Sequence, residues 1–221
     1  MGHIAASEQD ILSNYKLLTG LVVPRPIAWV TTLGEAGQVN LAPFSAFTFL
    51  SSAPPIIGIG IGGHKDTAVN IARTGEFVVH IASMAFLEPL HQSSIEHPPE
   101  VSEVDLLGLA TVPSRMVAVP TLAGIPAALE CKLHRVSDYG RLNAKFIAGE
   151  VVSFFVRDDL LREGKVQTSE LDPLARLAGP SYSGIGEPIV KQPLNPPPRE
   201  RPDPAIAPAA RTRGISRRTT P

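Results

Sequence analysis

Short runs of β-branched and aromatic residues, separated by glycine and proline turns, occupy most of this 221-residue chain. The two longest runs are residues 128–139 and 145–156, joined by a turn that contains Gly140. Few stretches have helical spacing, and the clearest of them begins near Thr67 and ends at Gly75. Many strands, few helices and glycine- or proline-rich turns predict a mainly β fold, an antiparallel barrel with peripheral helices packed outside it.

Local signals place the remaining elements along the chain. Residues 27–33 predict a strand, 34–37 a hairpin turn, and a second strand starts at Val39, breaks at Pro43 and resumes over 44–50. Residues 56–61 (IIGIGI) alternate isoleucine with glycine, which indicates a strand with one crowded face. Residues 76–81 predict a strand and 84–95 a helix. Ser102 and Asp105 have capping-box spacing ahead of a leucine-rich turn.

The chain divides by composition into three parts: a lead-in (1–14), a body (15–190) and a tail (191–221). The 31-residue tail contains eight prolines and carries one lysine and six arginines against two acidic residues, a net charge of +5. Its few apolar groups predict a disordered extension. The rest of the chain then carries −6, which argues against nucleic acid as the main partner.

Several classes of site and location are disfavoured by what the sequence lacks. Cys131 is the only cysteine, no Cys/His cluster has zinc-finger spacing, and His91 and His97 stand six residues apart, so we expect no metal site. No Gly-x-Ser-x-Gly elbow is present. No apolar run reaches the roughly 18 residues of a membrane span, and no secretory signal is visible. We therefore expect a cytoplasmic protein with no membrane partner.

One segment carries a physical signal for a ligand. A helix that begins near Thr67 exposes unpaired amide N–H groups at its start, and together with the helix dipole these groups attract an anion. Lys65 adds a positive charge and Thr67 a hydroxyl donor, which suits a phosphate. The alternative is that Asp66 only caps the helix and that Lys65 lies in solvent. The sequence leaves both interpretations open.

Other candidate residues also have a structural alternative. Trp29 and His80 alternate with apolar neighbours, and Cys131 lies within a strand, so packing is the favoured role for all three. Phe44 and Phe47 are candidates for the core. Ser51 and Ser52 precede Pro54-Pro55, where turn chemistry alone explains them.

Taken together and in order, the motifs resemble the flavin-reductase-like, FMN-binding split-barrel family. They are residues 15–32 (YKLLTGLVVPRPIAWVTT), 40–47 (NLAPFSAF), 51–55 (SSAPP), 65–71 (KDTAVNI), 74–79 (TGEFVV), 149–151 (GEV) and 174–182 (LARLAGPSY). The chain is similar to reductase components of two-component monooxygenases, such as the nitrilotriacetate system, and to flavoredoxin-type carriers. The resemblance covers residues 15–190 and implies a homodimeric FMN-binding split β-barrel with FMN near the subunit interface.

The resemblance also implies a set of cofactor-binding residues. Asn40, Ala42, Pro43, Phe44 and Ser45 would line the isoalloxazine ring, and Ser51 and Ser52 would reach the ribityl or phosphate region. Lys65, Asp66 and Thr67 would surround the phosphate, whereas Arg176 and Tyr182 would close over the cofactor or a partner subunit. No catalytic residue is expected, because the flavin carries the chemistry.

The sequence leaves three functions open. The first is an NAD(P)H:flavin oxidoreductase that uses NADH or NADPH and supplies reduced flavin, with a monooxygenase or another electron-acceptor protein as a partner. The second is an FMN-holding electron carrier, or a flavin-binding module without nicotinamide activity. The third is a split-barrel relative that uses another cofactor, such as haem.

Overall fold

The computed structural model of this protein describes residues 2–192 and 194. Within these described residues there are fourteen strands, five α-helices and three short 3₁₀ turns. The helices are α1 (Ile11–Leu21), α2 (Asp66–Thr74), α3 (Leu87–Gln92), α4 (Glu103–Leu106) and α5 (Thr168–Leu171). The strands are β1 (Arg25–Pro26), β2 (Ala28–Leu33), β3 (Val39–Phe44), β4 (Ala46–Ser52), β5 (Pro55–Ile61), β6 (Glu76–Ile81), β7 (Thr111–Val112), β8 (Thr121–Leu122), β9 (Ala127–Tyr139), β10 (Ala144–Val156), β11 (Leu161–Arg162), β12 (Lys165–Val166), β13 (Ala175–Arg176) and β14 (Tyr182–Ser183).

Seven of these strands form one antiparallel sheet in the order β3-β2-β6-β9-β10-β5-β4. Its two edge strands, β3 and β4, are consecutive in the chain and are separated only by Ser45. A single linking residue leaves the two strand ends at most about 7 Å apart, so both edges must come together at this point, and the sheet has to curl to bring them there. The two edges do not pair with each other, which gives an open, split barrel and confirms the predicted mainly β fold.

The core lies on both faces of the sheet. Ala28, Val30, Phe77 and Val79 point into the barrel, where they pack in one cluster with the isoleucines of β5. The alternate residues of β2 and β6, such as Trp29, point outward into a second cluster that α3, α4 and the segment before β9 cover. Because side chains of a strand alternate between faces, coverage of both faces explains why five consecutive residues of β2 are buried.

Most of the predicted elements are present, with shifts at their ends. The strand predicted to break at Pro43 instead continues to Phe44 and breaks at Ser45, because Pro43 pairs with Trp29 while it lies on an edge strand. The crowded face of β5 is confirmed, since a methyl group added at Gly58 would overlap the ring of Phe146. The helix predicted over 84–95 is a 3₁₀ turn followed by the six-residue α3.

The predicted boundary between the lead-in and the body falls within a helix. Helix α1 runs through the predicted boundary at residue 15, so the lead-in and the body share one helix. Residues Met1–Pro188 form one compact unit, to which the site described below belongs. The predicted disordered tail lies outside the described residues, except for 191, 192 and 194. Among the described residues, no helix has the length and apolar character needed to cross a membrane.

Candidate functional site

A cleft of about 140 Å³ opens where β3 passes the start of α2. Seven of the residues that the sequence assigned to the cofactor site line this cleft: Asn40, Ala42, Pro43, Phe44, Lys65, Asp66 and Thr67. The β3 residues and the α2 residues are more than twenty positions apart in sequence. Curling of the sheet brings them together, because α2 packs across β2 and β3.

The start of α2 differs in one detail from the expectation. Lys65, with extended backbone angles, is the N-cap residue, whereas Asp66 is the first residue of the helix, so the predicted Asp66 cap is wrong. No side chain caps this helix end. The first amides of an α-helix have no intrahelical acceptor, so the N–H groups of Asp66 and Thr67 remain available to an anion. The prediction that the helix ends at Gly75 is confirmed, because this residue has a left-handed φ of 72°.

A buried polar network holds α2 against β3. The Thr67 hydroxyl donates to Asn40 Oδ1 at 2.8 Å, and Asn40 Nδ2 donates to the Glu103 carboxylate at 3.1 Å. Glu103 also accepts the Leu41 backbone N–H at 2.9 Å. The Thr67 hydroxyl therefore already donates to Asn40. The group of Thr67 that can donate to an anion in this structure is its backbone N–H.

Lys65 has a carboxylate partner in the cleft. Its ammonium group forms an ion pair and hydrogen bond with Glu96, whose side chain is 78% exposed. This hydrogen bond lowers the pKa of the Glu96 carboxyl below its usual value. Exposed pairs of this kind contribute little to stability and exchange partners readily. Glu96 uses one of the three N–H donors of the Lys65 ammonium and adds a negative charge to the same cleft.

A second cleft of about 200 Å³ adjoins the first, and the two share Pro43 and Ser94. Three further residues from the predicted set line it: Ser45, Arg176 and Tyr182. Arg176 and Tyr182 are cross-strand partners on β13 and β14, and β13 pairs with β1. The late motif thus reaches the site because a small three-stranded sheet attaches it to the strand ahead of β2.

Ser51 and Ser52 are the two predicted site residues that line neither cleft. They lie at the far end of β4, six or more residues from Ser45. Ser51 Oγ accepts the Ala53 backbone N–H at 3.2 Å, which fits the alternative of turn chemistry.

Several residues that line the clefts were not predicted as cofactor-binding residues. In the first cleft these are His64, Ser94, Ile95, Glu96, His97 and Glu103. In the second they are Tyr15, Thr19, Arg25, Ile27, Leu90, Ser94 and Gly179. Glu103 had a local signal, since it follows the Ser102 cap that the spacing predicted and that donation from the Asp105 N–H at 3.2 Å confirms. The loop over 94–97 carried none.

The residues predicted to pack do so. Trp29 is fully buried and donates from its indole N–H to Ser93 Oγ at 2.8 Å, so its ring does not face either cleft. His80 is fully buried between backbone groups. Cys131 lies inside the barrel, where burial and then the neighbouring Glu130 charge raise the pKa of its thiol, so it remains protonated.

Comparison with known proteins assigns the family. Residues 20–175 match the family described as "Flavin reductase like domain", which is more than half of the chain. The chain belongs to this family. It is therefore an oxidoreductase-type flavoprotein, as the ordered motifs predicted.

Relatives of this flavin-reductase-like protein agree with the assignment. Uncharacterized protein BH2278 of Halalkalibacterium halodurans is 47% identical over 183 residues, which is 79% of this chain and 88% of the relative. The crystal structure of nitrilotriacetate monooxygenase component B from Bacillus cereus is similar at 34% identity and a TM-score of 0.84, covering 86% of this chain and 98% of that one. The 2-nitrobenzoate 2-nitroreductase NbaA of Pseudomonas fluorescens is similar at 32% identity and a TM-score of 0.83, covering 90% and 100%.

Proposed function

We propose that this protein binds FMN and uses NADH or NADPH to reduce flavin. The observation that supports the proposal is the open N-terminus of α2, which faces the first cleft with Lys65 beside it. Amide groups and a lysine at a helix start suit the phosphate that distinguishes FMN from riboflavin. When bound, the flavin supplies hydride acceptance from the nicotinamide and onward transfer of electrons.

The chain's own residues would bind and orient the cofactor. The Asp66 and Thr67 amides and the Lys65 ammonium would hold the phosphate, while the backbone of Ala42 to Ser45 would line the ring. Pro43 has no N–H, so it offers the ring only its carbonyl and its shape. The buried carboxylate of Glu103 would act at a distance, by fixing Asn40 and through it the start of α2.

A second copy of the chain is part of the proposal. The two adjoining clefts, of about 140 and 200 Å³, reach only together the lower end of the roughly 300–1,000 Å³ that is typical of small-molecule sites. Helix α1 lines the second cleft with Tyr15 and Thr19, yet it has no buried residue, and Leu18 and Leu21 are 63% and 79% exposed. A homodimer would cover this apolar helix and close the groove at the same time.

The direct test is consumption of NADH or NADPH in the presence of FMN, with light scattering on the same sample to check for a dimeric mass. We expect turnover above the background of free flavin. Absence of turnover with FMN still bound would contradict the reductase and favour an FMN-holding carrier. The proposal extends to a cytoplasmic setting, where NADH and NADPH are available, and to a monooxygenase or another electron-acceptor protein as the recipient.

The phosphate site can be tested separately with ligand affinities. Lys65→Ala is expected to weaken FMN binding about 10- to 100-fold, because it removes one charge-assisted hydrogen bond, while riboflavin binding changes little. Glu96→Gln is expected to act in the opposite direction and strengthen FMN binding, because it frees Lys65 and removes a like charge from the cleft. Calorimetric titration with both ligands measures the two effects.

Lys145→Ala is the matched control for Lys65→Ala. Lys145 forms an exposed ion pair with Asp138 and has nearly the same side-chain exposure as Lys65, 37% against 35%, but it lines neither cleft. Its FMN affinity should equal that of the unmodified protein. Equal loss of FMN and riboflavin affinity in Lys65→Ala would remove Lys65 from the phosphate site.

A further inference from the structure

We propose that a groove beside α2 is a docking surface for an extended acidic segment of a partner protein. The groove has a volume of about 540 Å³ and is called here the α2–hairpin groove. It is lined on one side by Ala68, Val69, Ala72 and Arg73 of α2, and on the other by Val136 and Lys145 of the β9–β10 hairpin. The inference goes beyond the proposed function, because the partner would dock along α2 and outside the flavin site.

The end of the β9–β10 hairpin extends past the strand beside it. Strand β6 pairs with β9 only as far as Lys132, and the Leu133 N–H then donates to the Gly75 carbonyl at 2.7 Å. Residues 135–139 pair with β10 on one side, but on the other side they have no partner strand among the described residues. The backbone N–H and C=O groups of this edge can therefore pair with an added strand.

The walls of the α2–hairpin groove are mainly apolar and exposed. Val136 is the cross-strand partner of Ile147, so their side chains lie on the same face of the sheet. Ile147 is buried in the barrel core, whereas Val136, past the end of the barrel, is 37% exposed. Val69 on the opposite wall is 46% exposed. An apolar side chain that enters between these two valines removes apolar surface from water on both walls.

The rim of this groove is basic, although the body of the chain is acidic. Arg73 and Lys145 line the groove, and no carboxylate of the described residues does. The hairpin segment 132–145 contains four basic residues and one acidic residue, a net charge of +3, whereas residues 1–190 together carry −6. Such a rim attracts an acidic segment and repels a basic one, so the charge selects the occupant.

Both cations of the rim keep hydrogen-bond donors for a carboxylate. Arg73 donates from one terminal nitrogen to the Leu33 carbonyl at 2.6 Å, and it forms no ion pair within the described part of the chain. Lys145 donates to Asp138 at 2.7 Å through one of its three N–H groups. Carboxylates of a docked segment would accept from the remaining donors in charge-assisted hydrogen bonds.

These three features together fit a polypeptide. An extended segment can pair its backbone with the edge 135–139, and its side chains alternate between two faces. Apolar side chains on one face would enter the groove, and acidic side chains would meet the basic rim. A nucleic acid has no backbone that pairs with a strand edge, and it would have to approach a body of net charge −6.

The test is fluorescence anisotropy of the full chain with a short labelled peptide that alternates valine with glutamate. A peptide of the same length that alternates valine with glutamine is the neutral comparison. We expect the glutamate peptide to bind at least about tenfold more tightly, and we expect this difference to shrink as the salt concentration rises. Hydrogen exchange on the same complex should show protection of the amides of residues 135–139.

Val69→Glu places a negative charge in the groove and is expected to weaken binding of the glutamate peptide at least about tenfold. Val112→Glu is the matched control, because Val112 is also 46% exposed but lines neither flavin cleft nor the α2–hairpin groove. Lys145→Ala should weaken peptide binding as well. FMN affinity should stay unchanged in all three variants, since none of these residues lines the first or the second cleft.

Equal binding of the two peptides, or equal peptide affinity of Val69→Glu and Val112→Glu, would overturn the inference. Binding of phosphatidylglycerol vesicles or RNA that Val69→Glu abolishes, without binding of the peptide, would also overturn it, because the groove would then serve a lipid or a nucleic acid. A dimer that only Val69→Glu dissociates would do the same by assigning the groove to a second copy. Peptide binding by a protein that fails to bind FMN supports the inference and contradicts only the proposed function.

Discussion

Replacement of Glu103 by alanine is expected to lower the free energy of unfolding by about 3–5 kcal/mol, since hydrogen bonds to a charged group contribute about 1.5–3 kcal/mol each. Glu103 is only 6% exposed and accepts from the Leu41 N–H and from Asn40 Nδ2. Its removal leaves two buried donors without an acceptor. Chemical denaturation of both proteins measures the difference.

The same substitution is expected to weaken FMN binding, because Asn40 also holds Thr67 at the start of α2. Glu103→Gln keeps one acceptor oxygen and should lose about half as much stability. Glu100→Ala is the control, since this exposed neighbour makes no side-chain hydrogen bond within the described part of the chain, and changes at such sites stay within about 0.5 kcal/mol. A Glu103→Ala protein as stable as Glu100→Ala would refute the role of the network.

Acidification from pH 7 to pH 4 is expected to cost about 3 kcal/mol of stability through His80 alone. His80 is fully buried, its Nε2 accepts the Leu122 N–H at 3.0 Å, and its protonated Nδ1 donates to the Trp29 carbonyl at 2.9 Å. Burial lowers the pKa of this imidazole from 6.5 to about 4. Between pH 6.5 and pH 4, the imidazole is protonated in the unfolded chain but remains neutral in the folded chain. The free energy of unfolding therefore falls as the pH falls.

Denaturation curves at several pH values measure this contribution. His80→Gln offers a donor and an acceptor without titrating, so its stability should change less between pH 6.5 and 4, although it starts from a lower value. His134→Gln alters an exposed histidine and should keep the full pH dependence. Identical pH profiles for His80→Gln and the unmodified protein would show that another group is responsible.

Local sequence signals predicted the elements well where one chemical rule decides them. The turn at Gly140 and the long strands on either side of it are present within one residue of their predicted ends. The same holds for β6 and for the end of α2 at Gly75. The break at Ser45 was missed, because a proline in an edge strand keeps its pairing when the missing N–H faces away from the ladder.

The candidate site was predicted in part. Residues of the motifs 40–45 and 65–67 line one groove, as expected. These motifs could be recognised in the sequence because their local geometries, a β-edge and a helix start, depend on neighbouring residues. The sequence did not predict that Lys65 pairs with Glu96 or that Glu103 is buried. Nor did it predict that the guanidinium of Arg25 donates to backbone carbonyls. Each depends on a side chain that is far away in sequence, and no periodicity or spacing reports such a contact.

The amino-acid sequence by itself determined the strand-rich fold class, the family and the anion-attracting start of α2, because alternation, turn residues and helix ends are properties of neighbouring residues. Only the tertiary structure decided that the two clefts are continuous and that the Thr67 hydroxyl donates to Asn40. It also decided that Arg176 keeps N–H donors without an acceptor among the described residues, in a cleft that no carboxylate lines. The physical reason is that charge balance and hydrogen-bond satisfaction are settled between segments, after the sheet has curled and brought β3, α2 and β13 to one place.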